Sequence, residues 1–189
     1  YTDYFFNTFL MTGNGINSHA FHYDYHASSY EYIVNNIAVN TGGGMAVYIY
    51  NYNSTVWWMD NNNWYATGAN TGWYNGTTYS TMTAWKSGTN RDSNSQNVNP
   101  IFVSNSNLHI SHPKMNAAAK VIAMVTDDFD AQTRSTTTPD IGADEFTPPA
   151  LDAGIASIDN PSGTYCAGKK NVLVTLTNYG TNTLTSCTI

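Results

Sequence analysis

His22, Asp24 and His26 alternate along one short run, so in a strand all three side chains leave one face, about 6.8 Å apart in succession. Neutral imidazoles and a carboxylate suit Zn²⁺ or a similar divalent ion, and His19 stands close by in the preceding turn. That spacing is wide for one metal, and exposed histidines hydrogen-bonded to neighbours fit the same pattern. Asp3 and Glu31 are the one acid pair that a 28-residue alignment places side by side, as glycoside hydrolysis requires, although two solvated acids on an outer face are the more ordinary reading and no catalytic residue is assigned. A lyase needs an Arg or Lys base and usually bound Ca²⁺, yet the first basic residue is Lys86. No cofactor is expected. The run Asp127-Asp128-Phe129-Asp130 leaves room for a structural Ca²⁺, although it lacks EF-hand spacing and the terminal Glu. Aromatic side chains are the stronger lead: Tyr4, Tyr32, Tyr48, Tyr50, Trp57 and Trp58 are candidate ligand contacts, because flat rings bind sugar faces while Asn, Asp and Thr orient hydroxyls. The alternative is that these rings point inward and fill a core. Trp57 and Trp58 are adjacent, so in a strand one of them faces outward in either register.

The elements that position these residues are read from repeats. Asn7-Thr8-Phe9-Leu10-Met11, Asn35-Asn36-Ile37-Ala38-Val39 and Asn62-Asn63-Trp64-Tyr65-Ala66 recur at intervals of 28 and 27 residues, each followed by a Thr-Gly turn. Phe21 to Tyr25 and Tyr48 to Tyr52 match at 27, each alternating at period two, and Asp3 to Asn7 lies over Glu31 to Asn35. Stacked strands would set equivalent side chains about 4.8 Å apart, giving Asn7, Asn35 and Asn62 a structural role in one hydrogen-bonded ladder and placing Tyr4 in line with Tyr32. Beyond residue 66 the repeat fades. Gly68 to Gly76 reads as a loop, Thr78 to Ser87 as a short helix stopped by Gly88, and Val98–Val103 and Asn107–Ile110 as two brief strands.

Composition restricts the function classes. Only 11% of the 189 residues are charged while 41% are hydrophobic, which excludes a disordered chain and a charged coiled coil. A net charge of -6, with no Lys or Arg in the first 85 positions, removes nucleic acid and anionic membrane as partners. No apolar stretch is long enough to insert into a membrane. Cys166 and Cys187, paired near one end of a Thr- and Asn-rich chain, predict an oxidising, extracellular setting and a disulfide; two unrelated thiols are the other reading.

The succession Asp92-x-x-Ser95, Asn99 to Val103, Leu108-His109-Ile110, Thr126 to Arg134 and Pro139-Asp140-Ile141-Gly142-Ala143-Asp144-Glu145-Phe146 resembles the C-terminal end of bacterial secreted right-handed parallel β-helix proteins of the choice-of-anchor type. Ala131 departs from that pattern, which usually has Gly there. The resemblance implies an all-β, pectin-lyase-like solenoid over residues 1–147 with a C-terminal cap, and a secreted or cell-surface location. Thr147-Pro148-Pro149 opens a linker over 148–151, and residues 152–189 resemble the start of an Ig-like β-sandwich module of Bacteroidota surface proteins, too short to be complete. The expected function is that of an extracellular structural or adhesive surface protein binding a polysaccharide or cell-surface glycan. The alternative is a carbohydrate-active enzyme, a glycoside hydrolase or polysaccharide lyase, whose catalytic coils lie upstream of Tyr1.

Overall fold

The structure, a computed structural model, describes residues 2–24, 31–50 and 57–188. Along residues 2–66 come β1 (Thr2–Phe5), β2 (Thr8–Met11), β3 (His19–Asp24), β4 (Glu31–Val34), β5 (Ile37–Asn40), β6 (Met45–Tyr50), β7 (Trp57–Asp60) and β8 (Asn63–Ala66). There follow β9 (Gly72–Tyr74), β10 (Thr77–Tyr79), the helix α1 (Met82–Thr89), β11 (Ala153–Asn160) and β12 (Leu173–Asn178). β1, β4 and β7 pair parallel in one sheet and β2, β5 and β8 in a second; β3, β6 and β9 run parallel in a third, to which β10 adds antiparallel.

The expectation of a continuous right-handed parallel β-helix is therefore corrected. The chain is all-β, but its strands lie in four small separate sheets that mix parallel and antiparallel pairs, with no closed helical coil among the described residues. Two physical causes are visible. The residue interval between paired strands is not constant, being 29 between Asn7 and Asn36 but 26 between Asn36 and Asn62. The third sheet then turns back on itself at Asn75-Gly76, whose φ angles of 46° and 92° suit the tight type I′ hairpin that joins β9 to β10. Gly72–Tyr74 is thus a strand rather than loop. Residues 98–110 carry only the bridge Ser104–Asn107 instead of two strands, and the helix begins at Met82, capped by the Thr81 hydroxyl accepting from the Ala84 N–H. The described residues 152–188 contribute one two-stranded antiparallel sheet, β11 with β12; Thr183 to Thr188 is not strand. Cys166 and Cys187 are both exposed and free, so the predicted bridge is absent.

The passage from first sheet to second is made by Phe6-Asn7, Asn35-Asn36 and Asn61-Asn62, the leading residue of each in the left-handed region at φ 55°, 64° and 53°. Asn tolerates that conformation better than other non-glycine residues, which explains two of the three. The second residue of each pair forms a ladder. Asn36 Oδ1 accepts from Asn7 N–H at 3.0 Å and Asn7 Nδ2 at 2.9 Å; Asn62 Oδ1 accepts from Asn36 N–H at 2.8 Å and Asn36 Nδ2 at 3.1 Å. Asn36, not Asn35, is the middle rung.

One core lies between the sheets, where Phe21, Tyr23, Ile33, Val47, Ile49, Met59, Trp64 and Trp85 are buried. A second gathers Ile37 and Val39 of β5 with Ile110, Met115 and Ile141 from the irregular region, so the loops after α1 cover the far side of the second sheet.

Candidate functional site

Strand pairing decides which predicted residues meet. Asp3 pairs with Tyr32 and Tyr32 with Trp58, which puts these three on the same outward face of the first sheet. Glu31 instead pairs with Thr2 and is 2% exposed, its Oε1 accepting no hydrogen bond from any described residue. A 29-residue interval in place of 28 thus sends the two acids to opposite faces, and the Asp3/Glu31 pair does not form. The same slip separates Tyr4 from Tyr32: Tyr4 pairs with Ile33 and packs inward, edge-on to Phe21 at 5.3 Å. Trp58 is the outward member of the Trp pair at 41% exposure; Trp57 pairs through its backbone with Glu31.

The Asp3–Tyr32–Trp58 face opens onto an elongated cleft of about 370 Å³, whose opposite wall is the segment Lys120 to Met124. That wall is held by the left-handed asparagines. Asn35 donates from Nδ2 to the Lys120 carbonyl at 2.7 Å and accepts from the Lys120 N–H at 2.8 Å, and Asn61 donates to the Ala118 carbonyl at 3.1 Å. Lys120 is thereby fixed with its Nζ 3.2 Å from the Trp58 ring centroid, a cation–π contact. Phe5 lies 6.4 Å from Tyr32 along the same cleft.

A second aromatic file runs on the outer face of the third sheet. His22 pairs with Tyr48 and Asp24 with Tyr50, an interval of 26 rather than 27, so Phe21 and Tyr23 face the core and the even-numbered residues face out. Tyr48 stacks on Trp73 at 4.3 Å with ring planes 4° apart, Tyr50 on Trp73 at 5.9 Å, and His19 on Tyr48 at 4.4 Å. These ring faces are occupied by one another, and the file shows solvent mainly its edges. His22 Nε2 lies 3.1 Å from Asp24 Oδ1, within one strand, while burial, with the nearby His22, lowers the His19 pKa. His26 lies outside the described residues.

A third constellation joins three loops that sequence reasoning did not connect. His109 Nε2 contacts Asp130 Oδ2 at 2.5 Å, and one atom of each of His109, Asp130 and Asp144 lies within 4.8 Å of the others, a group able to hold a metal ion. The hydrogen bond to Asp130 raises the His109 pKa, and burial raises that of Asp144. Beside it is a mainly apolar cavity of about 510 Å³ bounded by Thr8, Leu108, His109, Phe129 and Asp144. Of the acidic run read for Ca²⁺, Asp128 is committed to backbone: Oδ1 accepts from the Asp130 and Gln132 N–H groups at 2.8 Å each and Oδ2 from Glu145 N–H at 2.9 Å. No family model, curated protein or solved structure matches the chain.

The residues of the Pro139 to Phe146 motif act as a clasp. Arg134 is buried, donating to the Gly142 and Ala143 carbonyls at 3.0 and 2.9 Å and to Glu145 Oε2 at 3.3 Å, with Phe6 beneath its guanidinium at 4.1 Å. Gly142, at φ 100°, lies so close to β5 that a Cβ there would sit 2.5 Å from Ile37 Cδ1. No helix of the described residues is long and apolar enough to cross a membrane.

Proposed function

We propose that the chain is an extracellular adhesive or structural protein that binds a glycan in the cleft formed by Asp3, Phe5, Tyr32 and Trp58 with the Lys120–Met124 wall. The observation that carries this reading is the register that brings Tyr32, Trp58 and the exposed acid Asp3 onto one open groove. Carbohydrate recognition needs apolar ring surface for the sugar's C–H faces and a few placed polar groups for its hydroxyls. Phe5, Tyr32 and the exposed part of Trp58 that Lys120 does not cover supply the first, and the Asp3 carboxylate and Lys120 ammonium supply the second. The aromatic file of the third sheet fits a sugar less well, because its ring faces are already stacked on one another. The resemblance of residues 92–146 to secreted surface proteins supports the extracellular setting.

The experiment is affinity electrophoresis of the wild-type chain and of Trp58→Ala, Tyr32→Ala and Tyr48→Ala variants through gels containing neutral or acidic polysaccharides. Retardation by at least one polysaccharide, weakened about tenfold by Trp58→Ala and by Tyr32→Ala and unchanged by Tyr48→Ala, is expected. Retardation by a neutral polysaccharide should change little between low and moderate salt, since screening acts on charge pairs. Absence of retardation by every polysaccharide, or equal retardation of the Trp58→Ala variant, overturns the cleft. New reducing or unsaturated ends in the incubated polysaccharide would replace binding with cleavage.

A further inference from the structure

We propose that His109, Asp130 and Asp144 bind a single divalent cation of the transition series, with Zn²⁺ as its type, at the mouth of the cavity beside Leu108 and Phe129. Three observations converge. The first is proximity: one ligand atom from each of three separate loops lies within 4.8 Å of the other two, a spacing from which small side-chain movements place all three on one ion.

The second is the state of Asp144. This side chain is only 7% exposed, yet the one hydrogen bond its carboxylate accepts among the described residues is a long one, 3.4 Å from the Ile110 N–H. A carboxylate in a buried residue with so little hydrogen bonding gains from a positive partner, and its side toward His109 is where a cation would supply one. Asp128, two residues before Asp130 in the acidic run, shows the contrast, with three N–H donors at 2.8 to 2.9 Å.

The third is the His109 ring. Its Nδ1 contacts Asn107 Oδ1 and its Nε2 contacts Asp130 Oδ2, so Nδ1 keeps its hydrogen while a metal ion would take the place of the proton that Nε2 shares with Asp130. Metal-binding histidines characteristically donate their other ring N–H to an oxygen in this manner. An imidazole with two carboxylates suits Zn²⁺ and its neighbours; Ca²⁺ prefers six to eight oxygens, and the carboxylate of the neighbouring Asp128 is occupied by backbone. Three protein ligands leave a coordination position for water or for a ligand entering the 510 Å³ cavity that His109 and Asp144 border.

The test is calorimetric titration of the whole chain, freed of metal by chelator and dialysis, with ZnCl₂ and separately with CaCl₂. Cys166→Ser and Cys187→Ser are introduced throughout, so that exposed thiols do not compete. One equivalent of Zn²⁺ is expected, with affinity reduced at least tenfold by His109→Ala and by Asp130→Asn. Both positions are substantially exposed, and unchanged circular dichroism confirms that these variants fold. A His22→Ala variant should bind as the parent does, and Ca²⁺ in hundredfold excess should leave Zn²⁺ bound. Failure of the parent to bind Zn²⁺ saturably, or equal binding by the His109→Ala variant, overturns the proposal, as does loss of binding through His22→Ala alone.

Discussion

Asp92 shows what a single carboxylate does in this core. Its Oδ2 accepts from the indole N–H of Trp64 at 2.9 Å and of Trp85 at 2.7 Å, and its Oδ1 accepts from Asn62 at 3.1 Å and from the Ser95 hydroxyl. Asp92→Ala leaves two indole donors unpaired in the interior, each costing about 1–3 kcal/mol, so a loss near 4 kcal/mol is expected in urea unfolding followed by tryptophan fluorescence. Asp92→Asn keeps one acceptor and should lose roughly half as much. Asp140 gives a pH signature. Burial pushes its pKa up from 3.8 to about 6, against the opposing hydrogen bonds from Phe146 and Ala117 N–H. The folded state therefore holds this proton more tightly than the unfolded chain does. Its stabilising effect is complete below pH 3.8 and lost as the pH rises through about 6. Asp144 and Asp92 shift in the same direction, whereas His19 and His112 are lowered by burial and work oppositely, so comparison with a variant isolates Asp140. The stability difference between wild type and Asp140→Ala should be larger at pH 4 than at pH 7.5, by about 2 kcal/mol.

At the scale of elements, the asparagine turns organise the sheets. Asn36→Ala removes the acceptor of two Asn7 donors and the Asn36 Nδ2 donor to the Tyr4 and Val34 carbonyls, all at a fully buried position. A loss of about 3 kcal/mol is expected in thermal unfolding, and a smaller one for the partly buried, terminal rung Asn7. This ladder also marks how far the sequence could be read. The recurrence of Asn with a following Thr-Gly turn is visible, and it points correctly to short strands joined by turns. The register is not, because Asn35 and Asn36 are identical in type and either could align with Asn7. Only the left-handed backbone at Asn35, which releases its side chain toward Lys120, decides between them. One residue of error exchanges the faces of a strand, which is why the acid pair and the Tyr4–Tyr32 alignment failed while Tyr32 and Trp58 still reached one groove. Trp73 was missed because the Asn75-Gly76 hairpin signal was absorbed into a presumed loop. The His109 group was illegible for a different reason: its members are brought together by irregular loops that have no period.

Across the whole molecule, the clasp joins distant parts of the chain. Gly142 N–H donates to the Asn35 carbonyl at 2.9 Å, and Ala143 N–H donates to Thr8 Oγ1 at 2.9 Å over a separation of 135 residues. Gly142→Ala should destabilise the protein by about 2 kcal/mol or more, since the new methyl group must displace Ile37 and the residue must hold a positive φ. Thermal unfolding checks this, with Gly76→Ala as comparison: its φ of 92° is as demanding, but a Cβ there meets nothing. The separation of 135 residues also has a consequence in time. Closing so long a loop comes late in folding, after the strand pairs that lie fewer than thirty residues apart, so in pulse-labelled refolding the Gly142 and Ala143 amides should gain protection after those of Asn36 and Asn63. During synthesis at about 5–20 residues per second, roughly 7 to 27 s pass between Thr8 and Ala143. Within that interval Ile37 and Val39 wait first for Ile110 and Met115 and last for Ile141, so their apolar surface is open on the nascent chain until these loops arrive.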